Sequence, residues 1–176
     1  MSNAKFISTG AIITALKTFL ESLKAPEGNK PLFEIVRPYD STQINKAFAD
    51  LLIENERRLC FIVPGRQGYE HAREGQKLRV AKAPQFLLLI CDTDRETGHE
   101  AMFGGPDNIG VIGINDIVVN ALAGETLGIQ GVVISPIEGD DLLVYDESKP
   151  TDSGRKGWLL VIETPAGIRN VPLPRG

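Results

Sequence analysis

The sequence predicts an α+β fold: a single, mostly antiparallel sheet with helices packed on one face and a long insert in its first hairpin. Three observations predict it. Helical periodicity recurs in three stretches, 8–24, 40–58 and 108–124, with no regular βαβα alternation between them. Two apolar runs, "LCFIV" (59–63) and "QFLLLIC" (85–91), flank a polar segment. A closing series of strand-like stretches then follows the third helix. The 176 residues suit one domain, 1–176, with 1–7 and 165–176 as extended tails. A chain of this size buries roughly 70 % of its unfolded surface without needing disulfides or metal.

In "STGAIITALKTFLESLK" (8–24), Ile12, Ile13, Leu16, Phe19, Leu20 and Leu23 form one apolar face. Ser8 or Thr9 can cap its start, and Pro26 and Gly28 follow its end. "LFEIVRP" (32–38) alternates Phe33 and Ile35 with Glu34 and Arg37 as a short strand closed by Pro38. Asp40 or Ser41 opens a second helix, 40–58, whose apolar face is Ile44, Ala47, Phe48, Leu51 and Leu52. Pro64 and Gly65 stop the strand 59–63. The continuous apolarity of 85–91 marks a central strand covered on at least one face. Residues 92–108 read as a polar, glycine-rich loop. The third helix, 108–124, takes Asp107 or Asn108 as cap and Ile109, Ile112, Val119 and Leu122 as apolar positions, with Gly124 beyond its end. Strands are predicted at 131–139, 142–147 and 157–164, with an exposed connection at 148–156.

Composition narrows the function classes. Hydrophobic content is 42 % and charged content 24 %, ordinary for a globular protein. The net charge of −4 argues against a general nucleic-acid binder. No apolar run approaches the roughly 18–20 residues of a membrane span. "MSNAKFISTG" carries no secretory apolar stretch, so a cytoplasmic origin is expected. Cys60 and Cys91 lie inside apolar runs and read as small buried hydrophobes; a disulfide between them requires neighbouring strands and suitable geometry.

The motifs of common chemistries are incomplete. "GPDNIGVI" (105–112) has the two glycines of a phosphate loop, but Val111 and Ile112 stand where lysine and a hydroxyl residue are required. "CDTDRETGHE" collects Asp92, Asp94, Glu96, His99 and Glu100. Counted from Asp92 as a calcium loop, the sixth position is Thr97 rather than glycine and the twelfth is Phe103 rather than glutamate. Cys60, Cys91, His71 and His99 show no zinc spacing, and no G-x-S-x-G elbow is present. No catalytic residue, cofactor or metal is therefore assigned, and the chain is not expected to be an enzyme.

"GRQGYEHAREGQKLRVAK" (65–82) stands out. Arg66, Arg73, Lys77, Arg79 and Lys82 against Glu70 and Glu74 give it a local charge of +3, which leaves −7 on the rest of the chain. It is longer than a hairpin needs, and long loops in compact domains tend to be functional or disordered. A cationic arm on an acidic body invites packing between copies, with the acidic loop 92–100 as one partner.

The closing half, "INDIVVNALAGETLGI", "GVVISPIEGDDLLVYDE" and "RKGWLLVIET", resembles the C-terminal half of tail-terminator and minor tail proteins of Mu-like phages and prophages. The shared pattern is Asn115–Asp116 before Ala121–Leu122, a glycine turn, and a strand running from Trp158 to Thr164. Gly104–Gly105 and the acidic loop before them are not part of it. The resemblance implies a phage tail protein-like fold and a structural role in virion assembly: a homo-oligomeric, in several relatives hexameric, ring at the tail end or head–tail joint. It would form in the bacterial host cytoplasm and reside in the virion tail. Expected partners are further copies of the chain and other tail or head–tail proteins, with neither membrane nor nucleic acid. Arg66, Arg73, Lys77 and Arg79 are the expected subunit or tail-tube contacts. The alternative is a small ligand-binding or enzymatic α+β domain whose site lies between loops 65–82 and 92–106, with His71 or His99 turned into it.

Overall fold

The structure, a computed structural model, describes residues 8–39, 58–66, 69–71, 79–81, 83–93, 99–106, 108–142, 154–164 and 169–171. The first helix, α1, spans Thr9–Ser22. Ser8 caps it as expected: its Oγ accepts the Ala11 N–H at 3.0 Å. Ile12, Leu16 and Leu20 are fully buried, and Ile13, Phe19 and Leu23 pack at the margin of the same face. Leu23 leaves the helix in extended conformation. Lys24 then bridges to Pro31 across the return that contains Pro26 and Gly28. The predicted helix 40–58 lies outside the described residues, apart from Arg58.

The main sheet has five strands in the order β1-β2-β5-β7-β6. They are β1 (Ile35–Pro38), β2 (Leu59–Pro64), β5 (Gln85–Thr93), β7 (Arg155–Glu163) and β6 (Ser135–Leu142). β1 runs parallel to β2; the other three pairings are antiparallel. The sheet is thus mixed but mostly antiparallel; β1 and β2 can run parallel because they are not joined as a hairpin.

β2 and β5 are buried on both faces. Cys60, Ile62, Phe86, Leu88 and Ile90 enter one cluster together with Leu160 and Ile162 of β7. α1 supplies Ile12, Leu16 and Leu20 to this cluster, and the helix α3 (Gly110–Leu122) supplies Ile114, Val118 and Leu122. The intervening residues Leu59, Phe61, Val63, Leu89 and Cys91 form a second cluster on the opposite face with Tyr39. The period of two explains the division, since successive strand residues point to opposite faces. It also explains why 85–91 shows no polar alternation. In β1, Val36 belongs to the first cluster and Ile35 packs on the second.

A second sheet replaces the expected single one. β3 (Tyr69–His71), β4 (Arg79–Ala81) and β8 (Arg169–Val171) pair in that order, all antiparallel. The segment between β2 and β5 is therefore not a bare arm. Part of the expected C-terminal tail, Arg169–Val171, supplies a strand to it.

Three boundaries differ from expectation. The stretch 92–108 is not loop throughout: Asp92 and Thr93 extend β5 opposite Lys156 and Arg155, and His99–Phe103 form a short helix, α2. The third helix begins at Gly110, and Ile109 holds the capping position with no side-chain hydrogen bond. Its buried face is Val111, Ile114, Val118 and Leu122, rotated from the predicted Ile109, Ile112, Val119 and Leu122. The predicted strand 131–139 instead runs from Ser135 to Leu142, continuing through Asp140–Asp141, where a break between strands was expected.

Candidate functional site

Two local features decide what the candidate regions can do: the end of β5 beside α2, and the base of the 65–82 insert. Asp92 is fully buried, so the first carboxylate of "CDTDRETGHE" is not a solvated loop residue. Its Oδ1 accepts the Thr93 N–H at 2.8 Å. Arg155, 7 % exposed, donates from Nε to the Thr93 hydroxyl at 3.2 Å across the β5–β7 ladder. A buried charge requires such polar company, because desolvation of an isolated ion is costly. Cys91 precedes this pair. Burial pushes its thiol up to about 12, with Arg155 lowering it and Asp92 raising it as smaller effects. Cys60 is also pushed well up, by burial alone. Both thiols are therefore protonated at neutral pH and poor nucleophiles. Strands β2 and β5 are neighbours, but Cys60 lies opposite Ile90 and Cys91 opposite Leu59, on different faces, and both cysteines are free.

The glycine-rich turn between α2 and α3 is shaped by chain packing. Gly104 and Gly110 have φ of 83° and 75°. A Cβ at Gly104 would lie 2.5 Å from the Ile109 carbonyl, and one at Gly110 would lie 2.9 Å from the carbonyls of both Glu100 and Met102. No side chain fits at either position. The backbone of Gly105 pairs with Asn108, which closes the turn. The Glu100 side chain covers Gly105: a Cβ there would come 2.5 Å from Glu100 Oε1. The carboxylate beside Gly105 opposes an anion, so the glycines of "GPDNIGVI" close a turn rather than cradle phosphate. Asn108 is turned inward and 3 % exposed, with neither side-chain polar atom hydrogen-bonded. It does not cap α3.

The base of the insert is clasped by backbone. Gly65 N–H donates to the Gln85 carbonyl at 2.8 Å, and Gln85 N–H donates to the Arg66 carbonyl at 2.9 Å. Arg66 is exposed at this base. Arg79 lies in β4 with His71 opposite on one side and Val171 on the other; Arg169 of β8 pairs with Ala81 two pairs along. Arg73 and Lys77 fall between β3 and β4, outside the described residues. His99, the alternative's other histidine, is exposed, with its ring 5.1 Å from that of Phe103. Among the described residues, no three His, Cys, Asp or Glu side chains converge to hold a metal. Nor is any described helix long and apolar enough to cross a membrane.

A run of acidic residues is exposed on β6. Glu138, Gly139, Asp140 and Asp141 of β6 are all exposed. Asp140 Oδ1 accepts the Asp141 N–H at 2.8 Å. β6 pairs only with β7 among the described residues and ends the main sheet. Val133, just before this strand, and Ile137, on it, are 43 % and 47 % exposed. The missed signal was three carboxylates at 138, 140 and 141 within an otherwise strand-compatible stretch.

Comparison with family models and with curated proteins finds no match to this chain.

Proposed function

We propose that the protein is a structural component of a phage or prophage tail, working by self-association into a ring at the tail end or head–tail joint. The observation that carries this reading is the +3 insert, seated on a hairpin between two strands buried on both faces, in a chain whose remaining charge is −7. Arg66, at the base of the insert, is exposed, which suits contact between subunits. The α+β order, with both long described helices on one face of the main sheet, is compatible with the tail-protein resemblance in the closing half. Arg66, Arg73, Lys77 and Arg79 are the proposed subunit or tail-tube contacts, and the assembled protein resides in the virion tail. A hexamer is the expected ring.

Electron microscopy of the purified full chain, together with its mass in solution by light scattering, tests this reading. Closed rings and a mass several times the 19.2 kDa of one chain are expected. A single-chain mass at high concentration would overturn it.

A further inference from the structure

We propose that the exposed edge of β6 docks the cationic 65–82 insert of a second copy of this chain. The proposal rests on the ring reading and names the two surfaces that meet in it.

A terminal strand offers unpaired backbone groups and invites another chain. β6 is the terminal strand of the main sheet among the described residues, and it carries Glu138, Asp140 and Asp141 within four positions. Their three negative charges match the insert's +3. The acids stand exposed. In the other acidic candidate, 92–100, Asp92 is fully buried and so offers no surface charge, while Asp94 and Glu96 lie outside the described residues. Exposed Val133 and Ile137 add apolar surface beside the acids.

The same charges decide the symmetry. Two β6 edges meeting about a two-fold axis would oppose carboxylate to carboxylate, and like charges directly opposite are destabilising. The register shift between Pro136 and Glu138 further interrupts the ladder that such edge-to-edge pairing needs. An acidic edge against a basic insert is instead a contact between two different surfaces. Contacts of that kind close into rings or run on as filaments, rather than stopping at a dimer.

A charge swap tests this on the full chain. The edge variant is Glu138→Lys/Asp140→Lys/Asp141→Lys, and the insert variant is Arg66→Glu/Arg73→Glu/Lys77→Glu. Light scattering at low salt is expected to give a ring mass for the unmodified chain, 19.2 kDa for each variant alone, and a ring mass again for their equimolar mixture. In the mixture every reversed edge finds a reversed insert. Circular dichroism confirms folding of each variant. Should the edge reversal not fold, Glu138→Gln/Asp140→Asn/Asp141→Asn replaces it, with a shift to the single-chain mass expected at salt where the unmodified ring persists. Rings from an edge variant alone overturn the proposal and leave the ring reading intact. Two single-chain variants that stay single when mixed also overturn it, since the surfaces then do not meet each other. An unmodified chain that is already single removes the ring reading and the proposal with it.

Discussion

Strands β5 and β6 flank the same neighbour, β7, yet they live in opposite environments. β5 is sealed on both faces, with Phe86, Leu88 and Ile90 on one side and Leu89 and Cys91 on the other. β6 is exposed from Ile137 to Asp141. One sheet thus contains a strand that holds the fold together and a strand left open to the surroundings. Backbone pairing to β7 is common to both, so the difference lies in their side chains. Apolar area removed from water stabilises by about 25 cal/mol per Å², and β6 contributes little of it.

The largest effect should come from the sealed region. Phe61→Ala, in the β2 strand that pairs with β5, empties a fully buried site in contact with the Tyr39 ring 5.1 Å away. A loss of about 3–5 kcal/mol in denaturant unfolding is expected; a loss below about 1 kcal/mol would mean that the second cluster is not a true core. Next comes Gly110→Ala, where left-handed backbone and the nearby carbonyls of Glu100 and Met102 leave no room. About 1–3 kcal/mol of destabilisation is expected by the same measurement.

The raised thiol gives a pH-dependent test of the same boundary. Cys91 is held protonated in the folded state up to about 12, against an ordinary 9.0. The unfolded chain loses this proton first, so the thiol's contribution is fully present below about pH 9 and is lost as pH rises towards 12. The loss is on the order of 1 kcal/mol per pH unit. Cys91→Ala should flatten that alkaline decline in pH-dependent unfolding curves; an unchanged slope would show that the thiol is not sealed. The smallest effect belongs to β6. Ile137→Ser, at a residue 47 % exposed, should change stability by less than about 0.5 kcal/mol in thermal unfolding. A larger loss would erase the contrast between the two strands.

The sequence was most readable where one signal dominated. α1 has a single apolar stripe and a hydroxyl cap, and both appear where expected. The apolar run 85–91 marked a central strand. α3 was harder because "GVIGINDIVVNAL" is aliphatic around much of its circumference. Two stripes competed, and packing against the sheet chose Val111, Ile114 and Val118. Asn108 looks like a cap in sequence but is turned inward, and the left-handed Gly110 begins the helix. Carboxylates are dense at 92–100, so the stretch reads as a polar loop from Asp92 onward. Register with the nine-residue β7 draws Asp92 and Thr93 into the sheet instead. β6 was divided at Asp140–Asp141 because paired aspartates read as a turn, and the irregular register after Pro136 breaks its alternation. The second sheet was not legible, since β4 and β8 are far apart in the chain and only three residues each.

The double clasp at Gly65, Arg66 and Gln85 has a consequence for how such a chain can vary. It closes the β2–β5 ladder on itself at the base of the insert. What lies beyond is, to the main sheet, a closed loop, and the entropy of closing a loop grows only with the logarithm of its length. Doubling the length costs roughly 0.6 kcal/mol. Loop closure alone therefore sets little penalty on lengthening or shortening the segment from 67 to 83, although β8 loses its partner if β4 goes. The segment proposed to contact a second copy can diverge while the frame that carries it stays fixed.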